Sequence, residues 1–224
     1  MKPVILGIVA LHVVSATQAQ LLITQYYEGT SNNKWLELTN VGSSTISDLS
    51  IYKISIWSNA NREGYKSNGT PTLTISLSSG SLAPGQSFLL AHSSAGIPDY
   101  ATANQTSGSL SFNGDDSVAL WSGTTFATSS VLDAIGFTSS TEGEDTSYVR
   151  LTLGAGWNTT SGSGVKDFSS VWGQVSLATV ADAKANEDAR LGYSLLTAVP
   201  EPHQYAVAMG GLLVAVVLLR RRRV

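Results

Sequence analysis

The chain has no cysteine, which excludes disulfides, thiol chemistry and thiolate metal sites and leaves stability to packing. Histidine is nearly as scarce. His12 and His203 fall in the terminal segments described below, so His92 is the only histidine of the body. One histidine cannot build the usual zinc cluster, and a serine hydrolase needs a base beside its nucleophile, yet no Gly-x-Ser-x-Gly elbow occurs. His92 reads as a strand-end residue. No loop with EF-hand ligand spacing is present, and no long stretch of period three to four argues for helix. Positive charge is thin outside the ends. Lys2 and Arg220, Arg221, Arg222 and Arg223 are five of thirteen basic residues, and Glu201 is one of sixteen acids, so the body carries eight basic against fifteen acidic side chains. A body of net charge minus seven repels phosphate backbones and excludes nucleic acid as the expected partner.

What is abundant is period-two alternation. Leu73, Ile75 and Leu77 alternate with Thr72, Thr74, Ser76 and Ser78, giving one apolar and one hydroxyl face. Leu36 and Leu38 alternate with Trp35, Glu37 and Thr39, and Tyr52, Ile54 and Ile56 with Ile51, Lys53 and Ser55. Further strands are expected over 21–27, 87–91, 117–121, 131–137, 147–153 and 171–180. Pro84-Gly85 has the type II turn signature, and Asn113-Gly114 suits a tight antiparallel turn. Short strands with frequent turn signals predict an all-β antiparallel β-sandwich. One short helix is expected over 178–191, where Ala183, Ala185, Glu187 and Ala189 favour it and Asp182 offers a cap.

The ends carry an address. Residues 1–19 read as a signal peptide: Lys2, an apolar stretch from Val4 to Val14, and Thr17-Gln18-Ala19 as a small-residue cleavage site. The body, residues 20–198, is long enough for one domain with its own core. In the tail, 199–224, Pro200-Glu201-Pro202 precedes an unbroken apolar run from Ala206 to Leu219, about 21 Å as a helix against roughly 30 Å of hydrocarbon. That is short for a permanent transmembrane helix. Arginine stems that snorkel and the Tyr205 ring lengthen it, and four arginines hold the C-terminus on the cytoplasmic side. The prolines keep the segment outside the membrane extended and accessible to an enzyme.

The order Pro-Glu-Pro, short apolar span, basic end resembles the PEP-CTERM sorting signal of Gram-negative bacteria. That resemblance implies an exosortase as partner and delivery to the cell surface or an exopolysaccharide matrix, with Pro200, Glu201, Pro202 and Arg220 to Arg223 as the sorting residues. A second resemblance lies in the body. The run from Leu22 to Gly29, then Asn32 to Asn40, Leu82-Ala83-Pro84-Gly85-Gln86, Asn113 to Leu120 and Leu132-Asp133-Ala134-Ile135-Gly136 is similar to a lamin-tail domain over roughly half the chain. It implies an immunoglobulin-like sandwich that acts as a binding or structural module. Residues 58–69 then form an enlarged surface loop, and 138–195 add strands and cover to the same domain.

Several side chains could carry chemistry. Asp115-Asp116, with Asn113 and backbone carbonyls, could hold Ca²⁺, though both residue types also form turns by bonding their own backbone. Glu142, Glu144 and Asp145 could join them if the two loops share one end of the sandwich. Glu37 with Asp133 could be drawn as a glycosidase pair. Of Trp35, Trp57, Trp121, Trp157 and Trp172, Trp57 is expected to be exposed beside the long loop and free to contact sugar. Three N-glycosylation triplets, at Asn68, Asn104 and Asn158, carry no information in a bacterial chain. The expectation is a non-enzymatic exported protein. Its rival is a secreted hydrolase of matrix polysaccharide using carboxylates or Ca²⁺.

Overall fold

The computed structural model describes residues 21–96, 103–139 and 142–177. The expected signal peptide, the helix over 178–191 and the sorting tail lie outside the described residues. Among the described residues, no helix is long and apolar enough to cross a membrane.

Among the described residues, ten strands form two sheets. The chain enters through β1 (Leu21–Glu28) and turns into β2 (Lys34–Asn40), then runs through β3 (Tyr52–Trp57), β4 (Leu73–Ser76) and β5 (Ser87–Ala91). After β6 (Gln105–Thr106) come β7 (Ser117–Ser122), β8 (Val131–Ile135), β9 (Thr146–Arg150) and β10 (Trp172–Val175). One sheet has the order β10-β9-β1-β2-β5-β6 and the other β4-β3-β7-β8. All pairs are antiparallel except β5 with β6. β9 and β10 thus extend the same sheet that β1 and β2 open.

Alternation explains the core. Leu21, Ile23, Leu36, Leu38, Phe88, Leu90, Tyr148 and Trp172 point from the larger sheet toward Ile54, Ile56, Ile75, Val118, Leu120 and Ile135 of the smaller one, forming a single apolar layer. A bulge in β1 between Ile23 and Gln25 shifts the register by one residue, so that Tyr26, not Gln25, turns inward. The Ala83–Gln86 turn has the expected type II form: Gly85 has φ 73°, and the Gln86 N–H donates to the Ala83 carbonyl at 3.0 Å.

Two expectations need correction. Asn113-Gly114 does not join antiparallel strands, because the strands on either side of it, β6 and β7, lie in different sheets. Neither residue has positive φ; the turn is closed by Asp116, whose Oδ2 accepts the Asn113 N–H at 2.9 Å. The strand expected over 171–180 stops at Val175, and Leu177 is already helical. The surface loop expected after Trp57 is a structured one. It forms short 3-10 turns at Asn59–Asn61 and Gly64–Lys66 and folds Tyr65 back onto the outer face of the smaller sheet.

Candidate functional site

The two acidic loops do meet at one end of the sandwich. The Gly143 N–H donates to the Gly114 carbonyl at 2.8 Å, and a Cβ on Gly114 would stand 2.5 Å from the Glu144 nitrogen, so only glycine permits this approach. The Asp115 and Asp116 carboxylates, however, are engaged. Asp116 is buried and accepts the Asn59 N–H at 3.0 Å through Oδ1 as well as the Asn113 N–H through Oδ2. Burial pushes its pKa up, while those amide donors pull it down. Asp115 lies 3.5 Å from the Arg62 guanidinium. Glu142 Oε2 accepts the Thr138 N–H at 2.8 Å, and Glu28, paired with buried Lys34, accepts the Asp145 N–H at 2.6 Å. Among the described residues no three histidine or carboxylate side chains converge as a metal site. Ca²⁺ on Asp115 and Asp116 therefore does not fit: both oxygens of Asp116 face N–H donors, and Asp115 faces a cation.

Glu37 and Asp133 do not share a cleft. Glu37 sits on the outer face of the larger sheet, where Oε1 accepts from the Ser87 hydroxyl at 2.8 Å. Asp133 lies inside the sandwich, where it is ion-paired with buried Arg150. Its Oδ2 also accepts the Ile23 N–H at 2.9 Å, while Arg150 Nε donates to the Ile23 carbonyl at 2.8 Å. The guanidinium is 4.5 Å from the Trp172 ring centroid. Burial pushes the Asp133 carboxyl up, and Arg150 opposes the shift. This pair ties β8 to β1 and β9 across the two sheets. Sequence reasoning missed Arg150, although its place two residues after Tyr148 puts it in the inward register of β9.

His92 closes the turn after β5, with Nδ1 accepting the Ser94 N–H at 3.0 Å. Trp57 is not an exposed sugar platform. It is fully buried, with its indole N–H donated to the Gly69 carbonyl at 2.9 Å and its ring packed on Tyr65 and Phe126. Trp35, Trp121 and Trp172 are also buried, and Trp157 is half-buried. A groove of about 370 Å³ lies over the smaller sheet, lined by Trp121 and half-buried Phe126 together with Lys53, Asn68, Thr70 and Thr124. The Lys53 ammonium stands 5.0 Å from the Trp121 ring centroid.

No protein-family model matches the chain, and the comparison with curated proteins gives no match. The two resemblances rest on the residues quoted for them.

Proposed function

We propose that the protein is a non-enzymatic exported module: a lamin-tail-like, immunoglobulin-like sandwich held by a C-terminal transmembrane segment until an exosortase-type enzyme releases it to the cell surface or an exopolysaccharide matrix. The observation that carries this reading is the order of the tail: Pro200-Glu201-Pro202, the apolar run to Leu219, then Arg220 to Arg223. The state of the acids supports the non-catalytic half. Catalysis by two carboxylates needs both to face one substrate, whereas Glu37 and Asp133 lie on opposite sides of the larger sheet and Asp115 and Asp116 hold loop donors. Contact with a neutral polysaccharide falls to the groove at Phe126, whose lining combines aromatic rings with hydroxyl and amide groups.

In cells with the sorting machinery, the mature chain is expected at the surface without its arginines, and Glu201→Ala is expected to accumulate as full-length precursor in the membrane. A mature chain found in the cytosol, or still bearing Arg220 to Arg223, rejects the reading.

A further inference from the structure

Period-two alternation carries an ion pair to the inner face of the larger sheet. Past the bulge in β1, Glu28 falls on the same side as Tyr26, and Lys34 on the same side as Leu36 and Leu38, so the two meet as the last cross-strand pair of β1 and β2. Both side chains are buried, and Lys34 Nζ donates to Glu28 Oε1. Aromatic rings stand beside them: the Phe112 centroid is 5.9 Å from Nζ, and the Tyr26 ring packs on Phe112 at 4.6 Å. An ammonium has three N–H groups to satisfy. Lys66 gives its own to Glu63 and two carbonyls, Lys53 reaches the Gly123 carbonyl at the surface, and the Lys166 side chain is 72% exposed. Among the described residues, Lys34 Nζ meets one acceptor, the Glu28 carboxyl. The other oxygen of that carboxyl is held as well. Asp145 lies in the left-handed region with φ 45°, a conformation that a non-glycine residue keeps only when its surroundings impose it, and its N–H donates to Glu28 Oε2 at 2.6 Å.

We propose that Lys34 and Glu28 become joined by an amide bond between their side chains, formed by the folded chain itself. In a dry site two separate charges are costly, so a proton passes from Nζ to Oε1 and leaves a neutral amine against a neutral carboxyl. The amine is then a nucleophile held beside its target, and this proximity replaces a bimolecular encounter. Attack of Nζ on Cδ forms the C–N bond, and the charge that develops on Oε2 meets the Asp145 N–H. A second proton moves from nitrogen to Oε1, the Cδ–Oε1 bond breaks, and one water leaves. Nitrogen keeps its third proton as the amide N–H, so the step balances without an oxidant or an activating reagent. The Tyr26 hydroxyl is buried without a hydrogen-bond partner, and Glu28 is the strongest of the charges acting on it, so it is a group that can relay the second proton. The product exchanges two buried charges for a neutral link, and gives a chain without cysteine a covalent tie across the mouth of its first hairpin.

Peptide mass mapping tests this directly. The full chain is purified in detergent, unfolded in urea and digested. Trypsin should fail to cut after Lys34 and glutamyl endopeptidase after Glu28, and the tryptic peptide that runs through to Lys53 should be one water lighter than its sequence. Fragment ions should be missing for every backbone bond between the two residues, because the link closes a ring there. Lys34→Arg, which puts an unreactive guanidinium in place of the amine, should restore the full mass and the cut after residue 34. A normal cut after Lys34 with the peptide at full mass overturns the proposal, and so does a lost water that maps outside 28–34. The wild-type digest decides by itself, whether or not the variant folds.

Discussion

At the scale of single residues, the most consequential pair is Asp133 with Arg150, because neither side chain meets solvent. Replacing Arg150 by leucine leaves a carboxylate and the Ile23 carbonyl without their main partner, and such a cut through a buried pair costs about 3–5 kcal/mol. Replacing both residues by leucine removes the stranded charge, so the double variant should recover part of that loss in a urea titration. A double variant less stable than Arg150→Leu alone would show that the pair does more than neutralise itself. Gly114 sets a different kind of limit. A methyl there meets backbone at 2.5 Å, a contact that must be relieved by moving one acidic loop off the other. Gly114→Ala should therefore destabilise by about 1–3 kcal/mol, the usual cost of overpacking, whereas Gly162→Ala, with open space around it, is limited by its φ of 77° alone.

At the scale of elements, two loops are pinned by one lysine. Lys66 Nζ donates to Glu63 Oε1 at 2.9 Å, to the Thr160 carbonyl at 3.0 Å and to the Ser163 carbonyl, which fastens the segment around 158–163 to the 3-10 turns after Trp57. The hydrogen bond from Lys66 holds the Glu63 carboxyl below its ordinary value. A depressed acid stabilises above its unfolded pKa of 4.5 and loses that contribution as pH falls through the folded value. Amide exchange at 161–164 should thus quicken selectively in acid, and Glu63→Gln should abolish that pH dependence; exchange that rises evenly over the whole sandwich would contradict it. Elements of this kind were hardly legible in the sequence, since Lys66 and Ser163 are ninety-seven residues apart. Strands were legible because Leu, Ile and Val at every second position bury one face whatever the topology. β5 was bounded as found, but β6 has only Gln105 and Thr106 and no apolar residue to betray it. Alternation also misled. Trp35, Glu37 and Thr39 look like a solvent face beside Leu36 and Leu38, yet every residue of β2 is buried. Trp57 failed because a polar loop can fold back over a ring, and local composition carries no sign of that.

At the scale of the whole molecule, a cysteine-free sandwich has only packing and buried hydrogen bonds to resist unfolding, and three of its phenols sit in distinct parts of that packing. Tyr26 is in the central layer against Phe112 and Phe137, Tyr148 is at the edge of the same layer with its hydroxyl donated to the Glu142 carbonyl at 3.0 Å, and Tyr65 is on the outer face of the smaller sheet. Burial pushes all three up, Tyr148 to about 12 from an ordinary value of 10.0. A raised acid keeps its proton in the fold and loses it on unfolding. Stability from these groups is therefore intact below pH 10.0 and declines as pH rises toward the folded value. Because the three rings belong to both sheets and to the layer between them, their ionisation should not be stepwise: tyrosinate absorbance from the buried phenols should appear together with the loss of strand signal in a single alkaline transition. Tyr148→Phe should move that transition to higher pH, since it removes one of the protons released on unfolding, and a shift to lower pH would mean that the hydrogen bond to Glu142 outweighs the titration.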